Sequence, residues 1–186
     1  MIQANHCDLC EHSKRNLKNG LTCGLTDRKP DFNTTCTKIN LDRKFQEKLE
    51  IANLELEIIR RNQKPTHLTF YGTIIIGFLL ILLGYFLSDW KIFSFYLWYV
   101  KIGIIGAGFT FFGTAYSKLN KYRREDKKAK LIKIKIDEVL IKYGISYDQS
   151  FDFKEKIHGT QEVIVKVEFK NWTKVQTTNT YKFDYE

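Results

Sequence analysis

Four cysteines, Cys7, Cys10, Cys23 and Cys36, are the only ones in the chain and all fall within its first 36 residues. Cys7-x2-Cys10 is the knuckle spacing that lets two thiolates reach one metal ion, and Cys23 and Cys36 follow at equal gaps of twelve intervening residues. Four thiolates suit a closed, tetrahedral structural Zn²⁺, which lets a short segment fold without a large core. The same donor set suits an iron–sulfur cluster, and ordinary free thiols are the third reading. His6 and His12 flank the knuckle and could stand in for a cysteine, and Gly20 and Gly24 supply bends beside Cys23. The expected chemistry is a structural metal site at residues 1–39, with no open coordination position for catalysis.

No other segment offers a reaction. The sequence contains no GxxxxGK[ST], no GxGxxG and no HExxH, and its remaining histidines, His67 and His158, stand apart. No spacing pairs a nucleophile with a base, so the expectation is a protein that is not an enzyme.

Two apolar runs in the middle must position everything else. Leu68 to Leu87 is twenty residues without a charge, and Phe93 to Tyr116 carries only Lys101. A bilayer core of about 30 Å needs about 20 apolar helical residues, and backbone in hydrocarbon must satisfy its own hydrogen bonds. The reading is a membrane α+β protein with transmembrane helices at 66–88 and 93–117 forming a two-helix hairpin. Gly72, Gly77 and Gly84 on the first run, and Gly103, Gly106, Ala107 and Gly113 on the second, are small residues of the kind that let membrane helices approach closely, within the chain or between copies.

Charge sets the orientation. Lys and Arg total 30 against 21 Asp and Glu, a net +9. Arg60, Arg61 and Lys64 precede the first run, and Lys118, Lys121, Arg123, Arg124, Lys127, Lys128 and Lys130 follow the second, while Ser88 to Ile92 between them holds only Lys91. The positive-inside rule then puts both termini in the cytosol of a bacterial-type inner membrane, where thiols stay reduced. The basic excess suits anionic lipid; nucleic acid is not expected as a partner.

Amphipathic helices flank the runs. From Asn40, a good N-cap, to Lys64, residues Leu41, Phe45, Leu49, Ala52, Leu56 and Ile59 recur at near-heptad spacing. Pro65 should end that helix, because the residue before a proline is pushed out of the α region. The second run continues into a cytosolic helix over 118–144 with two apolar stripes, one through Ala129, Ile132, Ile136, Val139 and Tyr143, the other through Leu131, Ile134 and Ile141; Gly144 stops it.

Beyond Gly144 the period becomes two, which predicts a three-stranded antiparallel meander over 145–186. A loop at His158-Gly159-Thr160 would set Phe153 opposite Val165 and Phe151 opposite Val167. Phe169 would face Tyr181, Glu168 would meet Lys182, and 171–179 would be a loop, the alternative being strands extended through Trp172 and Val175. Trp172 has no place in the alternation. It either folds onto the sheet edge or, with Lys170 and Lys174 beside it, is the candidate contact for a ligand or partner.

In layout alone, a two-span hairpin with a small cytosolic domain resembles small bacterial effectors that perturb the inner membrane, some of them in anti-phage systems. That likeness implies an oligomeric protein whose cytosolic part senses a protein or small-molecule signal and acts on the membrane. The alternatives are a passive anchor or scaffold for a cytosolic partner, and a nucleotide-sensing effector that stacks bases on Trp172.

Overall fold

A computed structural model describes residues 2–17, 20–86, 98–157, 160–172 and 176–184. Its elements run α1 (Ile2–Leu9), β1 (Ser13–Asn16), β2 (Gly20–Cys23), α2 (Arg43–Arg61), α3 (Gln63–Phe86), α4 (Trp98–Lys142), β3 (Ser146–Ile157), β4 (Thr160–Lys170) and β5 (Gln176–Asp184). The chain divides into two compact units, Met1–Leu56 with Ala129–Glu186, and Glu57–Lys128.

The first unit is built on an antiparallel sheet of order β3-β4-β5. β4 is central, and its Val163, Val165, Val167 and Phe169 are buried while alternate residues face outward. That is the period-two pattern of a half-covered sheet. Phe45, Leu49, Ala52 and Leu54 of α2 and Ala129, Ile136, Val139 and Leu140 of α4 complete the core. The rings of Phe45 and Phe169 lie 5.9 Å apart. Removing such an aromatic costs about 3–5 kcal/mol, because the cavity only partly collapses.

The sheet keeps the expected faces but not the expected register. Phe151 pairs with Val165 and Phe153 with Val163, two residues from the expected alignment, because Ile157 pairs directly with Thr160 and the register shifts between Phe153 and Lys156. β5 slips further: Tyr181 faces Val163, not Phe169, and Lys182 bonds Glu162 at 2.9 Å, not Glu168. A slip by an even number leaves every side chain on its own face, so alternation could not exclude it. The expected loop at 171–179 is also corrected, since β5 begins at Gln176.

Helix ends follow local chemistry. The carbonyl of Asp42, not Asn40, accepts the first helical bond of α2, from Gln46 at 3.1 Å, and Glu11 caps the Lys44 amide at 2.5 Å. At the far end of α4, Gly144 adopts φ 65° and the Ile145 amide returns to the Leu140 carbonyl at 3.1 Å. Glycine enters that left-handed region without steric cost, which closes the helix. The second stripe on α4 is not covered: Leu131, Ile134 and Ile141 are exposed.

The second unit contains the end of α2, all of α3 and the first part of α4. The break between α2 and α3 falls at Asn62, and Pro65 sits in the first turn of α3, where its missing amide is not needed. α3 and α4 pack antiparallel. A Cβ on Gly77 would lie 2.9 Å from the Gly108 carbonyl, one on Gly84 would lie 2.8 Å from Ile105, and His67 rests edge-on against Tyr122.

Two parts of the expected architecture are corrected. Among the described residues only one helical stretch, within Arg43–Phe86, is long and apolar enough to cross a bilayer, so the transmembrane two-helix hairpin is not found. The described part of α4 starts at Trp98, and Lys101, Thr110, Thr114 and four glycines dilute its apolar stretch before the basic run from Lys118. Nor is the N-terminal segment a zinc-type module. α1 packs with the β1–β2 pair, and among the described residues no group of three or more His, Cys, Asp or Glu could hold a metal ion. The turn at Ser88–Ile92, residues 93–97, His158-Gly159 and Lys174 lie outside the described residues.

Candidate functional site

All the groups that follow belong to the first unit. The four cysteines are brought together: Cys7, Cys10, Cys23 and Cys36 line one small cavity of about 20 Å³ with His6 and His12. The local fold explains this. α1 carries Cys7, Cys10 follows directly after its end in a turn whose amide bonds the Cys7 carbonyl, β2 ends at Cys23, and the segment holding Cys36 is tied down by Tyr143, whose phenolic oxygen accepts the Cys36 amide at 2.8 Å. The Asn40 amide donates to Cys10 Sγ at 3.5 Å. All four are free thiols. Burial, then the neighbouring Cys10, Cys36 and Cys23, pushes the Cys7 thiol up to about 11.

Beside them His6 is 1 % exposed, and its Nδ1 lies 3.1 Å from the Tyr143 hydroxyl. The Tyr143 hydroxyl also accepts from the Cys36 amide, and the far ring nitrogen of His6, Nε2, has no hydrogen-bond partner. Burial, then the charge of Lys142, holds the His6 pKa below its ordinary value. Gathering four sulfurs is thus something the sequence pointed to; among the described residues no group of three or more His, Cys, Asp or Glu is placed to hold a metal ion.

A second cluster was not legible as a site. Glu50, on α2, is fully buried, and its carboxylate accepts hydrogen bonds from Thr177 at 2.9 Å, Asn179 at 2.7 Å and Tyr181 at 2.7 Å. These three donors share one face of β5. Burial and the adjacent carboxylate of Glu50 raise the Tyr181 phenol well above its ordinary pKa, so it stays a donor. One turn earlier, Gln46 is 8 % exposed and its Nε2 has no partner. Gln46 lines a cleft of about 370 Å³ with Arg43, Glu47, Asn179, Thr180 and Tyr181. An orphaned buried amide beside open volume is the strongest polar signal in this unit, since an unmade hydrogen bond costs about 1–3 kcal/mol.

Other ionisable groups are already engaged. Asp8 is clamped by Lys48 and Arg15; burial works to raise its pKa, and those two cations outweigh it. Tyr147 donates to Asp137 at 2.7 Å and accepts from Lys133 at 2.7 Å, with Asn53 at 3.3 Å. A larger open groove of about 920 Å³ has a floor of Leu9, Leu21, Ile51 and Ile132, with that Asp8 clamp at its side.

Trp172 does not project as a contact residue. Its ring meets Phe169 at 4.5 Å and Phe45 edge-on at 5.3 Å, closing the end of the core. Lys170 pairs with Asp148 at 2.5 Å. In the second unit, of the glycines named from sequence, Gly77 and Gly84 lie at the α3–α4 contact with Gly108, whereas Gly72, Gly103, Gly106 and Gly113 would meet nothing within 4 Å. Ala107 is exposed.

No protein-family model matches the chain, and neither a curated protein nor a solved structure matches it.

Proposed function

We propose that this is a membrane-associated binding protein that receives a small-molecule or protein signal on its first unit and acts without catalysis. One observation carries the membrane part. In the second unit the pattern of a soluble core is inverted: glycines occupy the helix contact, while Ile75, Phe78, Leu79 and Leu83 of α3 and Phe109 and Phe111 of α4 are exposed. Phe78 is 55 % exposed and Phe109 62 %. Contiguous exposed apolar surface of this kind marks a lipid or protein interface, and small residues at helix contacts are the habit of helices in lipid.

Charge supports the same reading. Arg60, Arg61 and Lys64 before the apolar stretch of α3, and Lys118, Lys121, Arg123, Arg124, Lys127 and Lys128 after that of α4, are exposed and suited to anionic headgroups. Free thiols favour the cytosolic side.

The non-enzymatic part rests on engagement. Glu50, Asp8, Asp137 and Tyr147 are each held by neighbouring side chains, which leaves none of them as a poised base. Self-association belongs to the proposal, because Gly103, Gly106 and Gly113 leave small faces open. A passive anchor shares every membrane feature and differs only in lacking a ligand. A base-stacking role loses its platform, since Trp172 is spent on Phe45 and Phe169.

The test is fractionation of cells expressing the full chain. The protein should sediment with membranes and stay there through an alkaline carbonate wash. Release into the supernatant as a monodisperse soluble protein would overturn the proposal.

A further inference from the structure

We infer that Cys7 and Cys10 form a site of reversible oxidation by hydrogen peroxide, closing to an intramolecular disulfide. This deepens the reading of the first unit as the receiver of a small-molecule signal and rests on it. The cavity is the first observation. Cys7, Cys10, Cys23 and Cys36 line one space of about 20 Å³. A space of that size holds about one water-sized molecule. Hydrogen peroxide is of that order, and a bulky oxidant such as glutathione disulfide is not. All four sulfurs are free thiols, so the electrons the reaction needs are present.

The backbone selects the pair. The Cys10 amide donates to the Cys7 carbonyl at 3.2 Å, which folds residues 7–10 into a tight turn. Such a turn holds its end Cα atoms within about 7 Å, and a disulfide needs them about 4.4–6.8 Å apart. α1 ends at Leu9, so Cys10 stands just outside the regular helix. Cys23 and Cys36 sit on separate segments, the end of β2 and the turn that closes at Ile39.

The two sulfurs take different roles. The Asn40 amide donates to Cys10 Sγ at 3.5 Å. A charged acceptor takes such a bond more strongly than a neutral one, so the contact favours Cys10 as the attacking thiolate. Its sulfur attacks one peroxide oxygen, the O–O bond breaks, and hydroxide leaves and takes up the proton the thiol released. The products are a sulfenic acid and one water. Cys7 then attacks the sulfenic sulfur, the S–O bond breaks, and a second water leaves with the Cys7 proton. Two thiols and one peroxide become one disulfide and two waters. Burial, then the neighbouring sulfurs, keeps the Cys7 proton in place up to about 11. Ring closure is therefore the slower step, because the thiolate is the nucleophile.

The experiment uses the full chain in nanodiscs, purified under reductant and then freed of it without air. Hydrogen peroxide is added, remaining thiols are alkylated, and tryptic peptides are mapped by mass spectrometry. The peptide 1–14, which holds both cysteines, should become lighter by two hydrogens, and dithiothreitol should restore it. Glutathione disulfide at equal concentration should react about tenfold or more slowly, since access to the sulfur limits exchange. Cys7→Ser should trap a sulfenic acid on Cys10, which dimedone labels. Cys10→Ser should abolish the label and the disulfide, whereas Cys23→Ser and Cys36→Ser should leave the pair intact. The map of the unsubstituted chain decides wherever a variant fails to fold. A disulfide between any other two cysteines, dimedone at Cys23 or Cys36 alone, or four thiols that survive peroxide, bare or shielded by a metal ion found on elemental analysis, would overturn the inference. Membrane fractionation is a separate readout, so failure here leaves the attachment proposal standing, and failure there leaves this one measurable.

Discussion

The amide of Cys36 donates a 2.8 Å hydrogen bond to the hydroxyl of Tyr143, joining residues 107 apart in sequence. This bond closes the cysteine-rich segment onto the end of α4. The same hydroxyl reaches Nδ1 of buried His6 at 3.1 Å. Tyr143→Phe keeps the ring and deletes both contacts. It should lower the unfolding free energy by about 1–3 kcal/mol, the cost of leaving a buried amide and ring nitrogen unmet. Thermal and urea unfolding would measure it; an unchanged midpoint would show that the two segments are held by packing alone.

The Glu50 cluster should respond to chemistry more than to volume. Glu50→Ala leaves Thr177, Asn179 and Tyr181 without their acceptor and should cost about 3 kcal/mol or more. Glu50→Gln retains one acceptor oxygen and should cost clearly less. Urea denaturation of the two variants gives the comparison, and equal losses would count against the hydrogen-bond account.

Two groups at the cysteine cavity contribute to the pH dependence of the first unit's stability. The His6 pKa is held below 6.5 by burial and Lys142, so the unfolded chain takes up the proton first; stability is full above 6.5 and falls as pH drops below it. Cys7 moves the other way, from 9.0 to about 11, so the folded state keeps its proton longer. Stability is then full below 9.0 and declines as pH climbs toward about 11. Urea midpoints across pH should show that plateau, with the acid limb flattened in His6→Gln and the alkaline limb flattened in Cys7→Ser.

In the second unit, glycine position decides tolerance. A Cβ at Gly108 would lie 2.7 Å from Ile81 Cγ1 and 2.8 Å from the Gly77 carbonyl, and the backbone oxygen cannot turn aside. Gly108→Ala should cost about 1–3 kcal/mol. Gly103→Ala meets nothing within 4 Å and should be neutral or stabilising by about 0.5–1 kcal/mol. Unfolding in mixed micelles by added SDS would rank them.

Local periodicity made much of this legible. The buried face of β4, the stripe Phe45-Leu49-Ala52 and the stop at Gly144 follow from spacings within a few residues. Convergence of the four cysteines was visible from their exclusive placement before the apolar runs. The strand register was not, because even slips preserve alternation, and Lys182 finds Glu162 in place of Glu168, six residues away. The Glu50 cluster stayed hidden for a related reason. Its donors Thr177 and Asn179 fall in a stretch read as loop, and a glutamate on an amphipathic helix reads as solvated unless the facing strand is known. For Trp172 the sequence left a sheet-edge position and a partner contact both open, because its edge-on contact with Phe45 joins segments far apart in sequence. The metal expectation rested on donor type and spacing, which state what a segment could hold and not how its side chains pack.

The most direct measurement places p-benzoylphenylalanine at Phe78, and separately at Phe109, both outward-facing aromatic positions of the second unit. After irradiation of native membranes, mass spectrometry should find phospholipid acyl chains attached at both positions. Adducts confined to another protein, or none with lipid at either position, would contradict the claim that this apolar exterior lies in the bilayer.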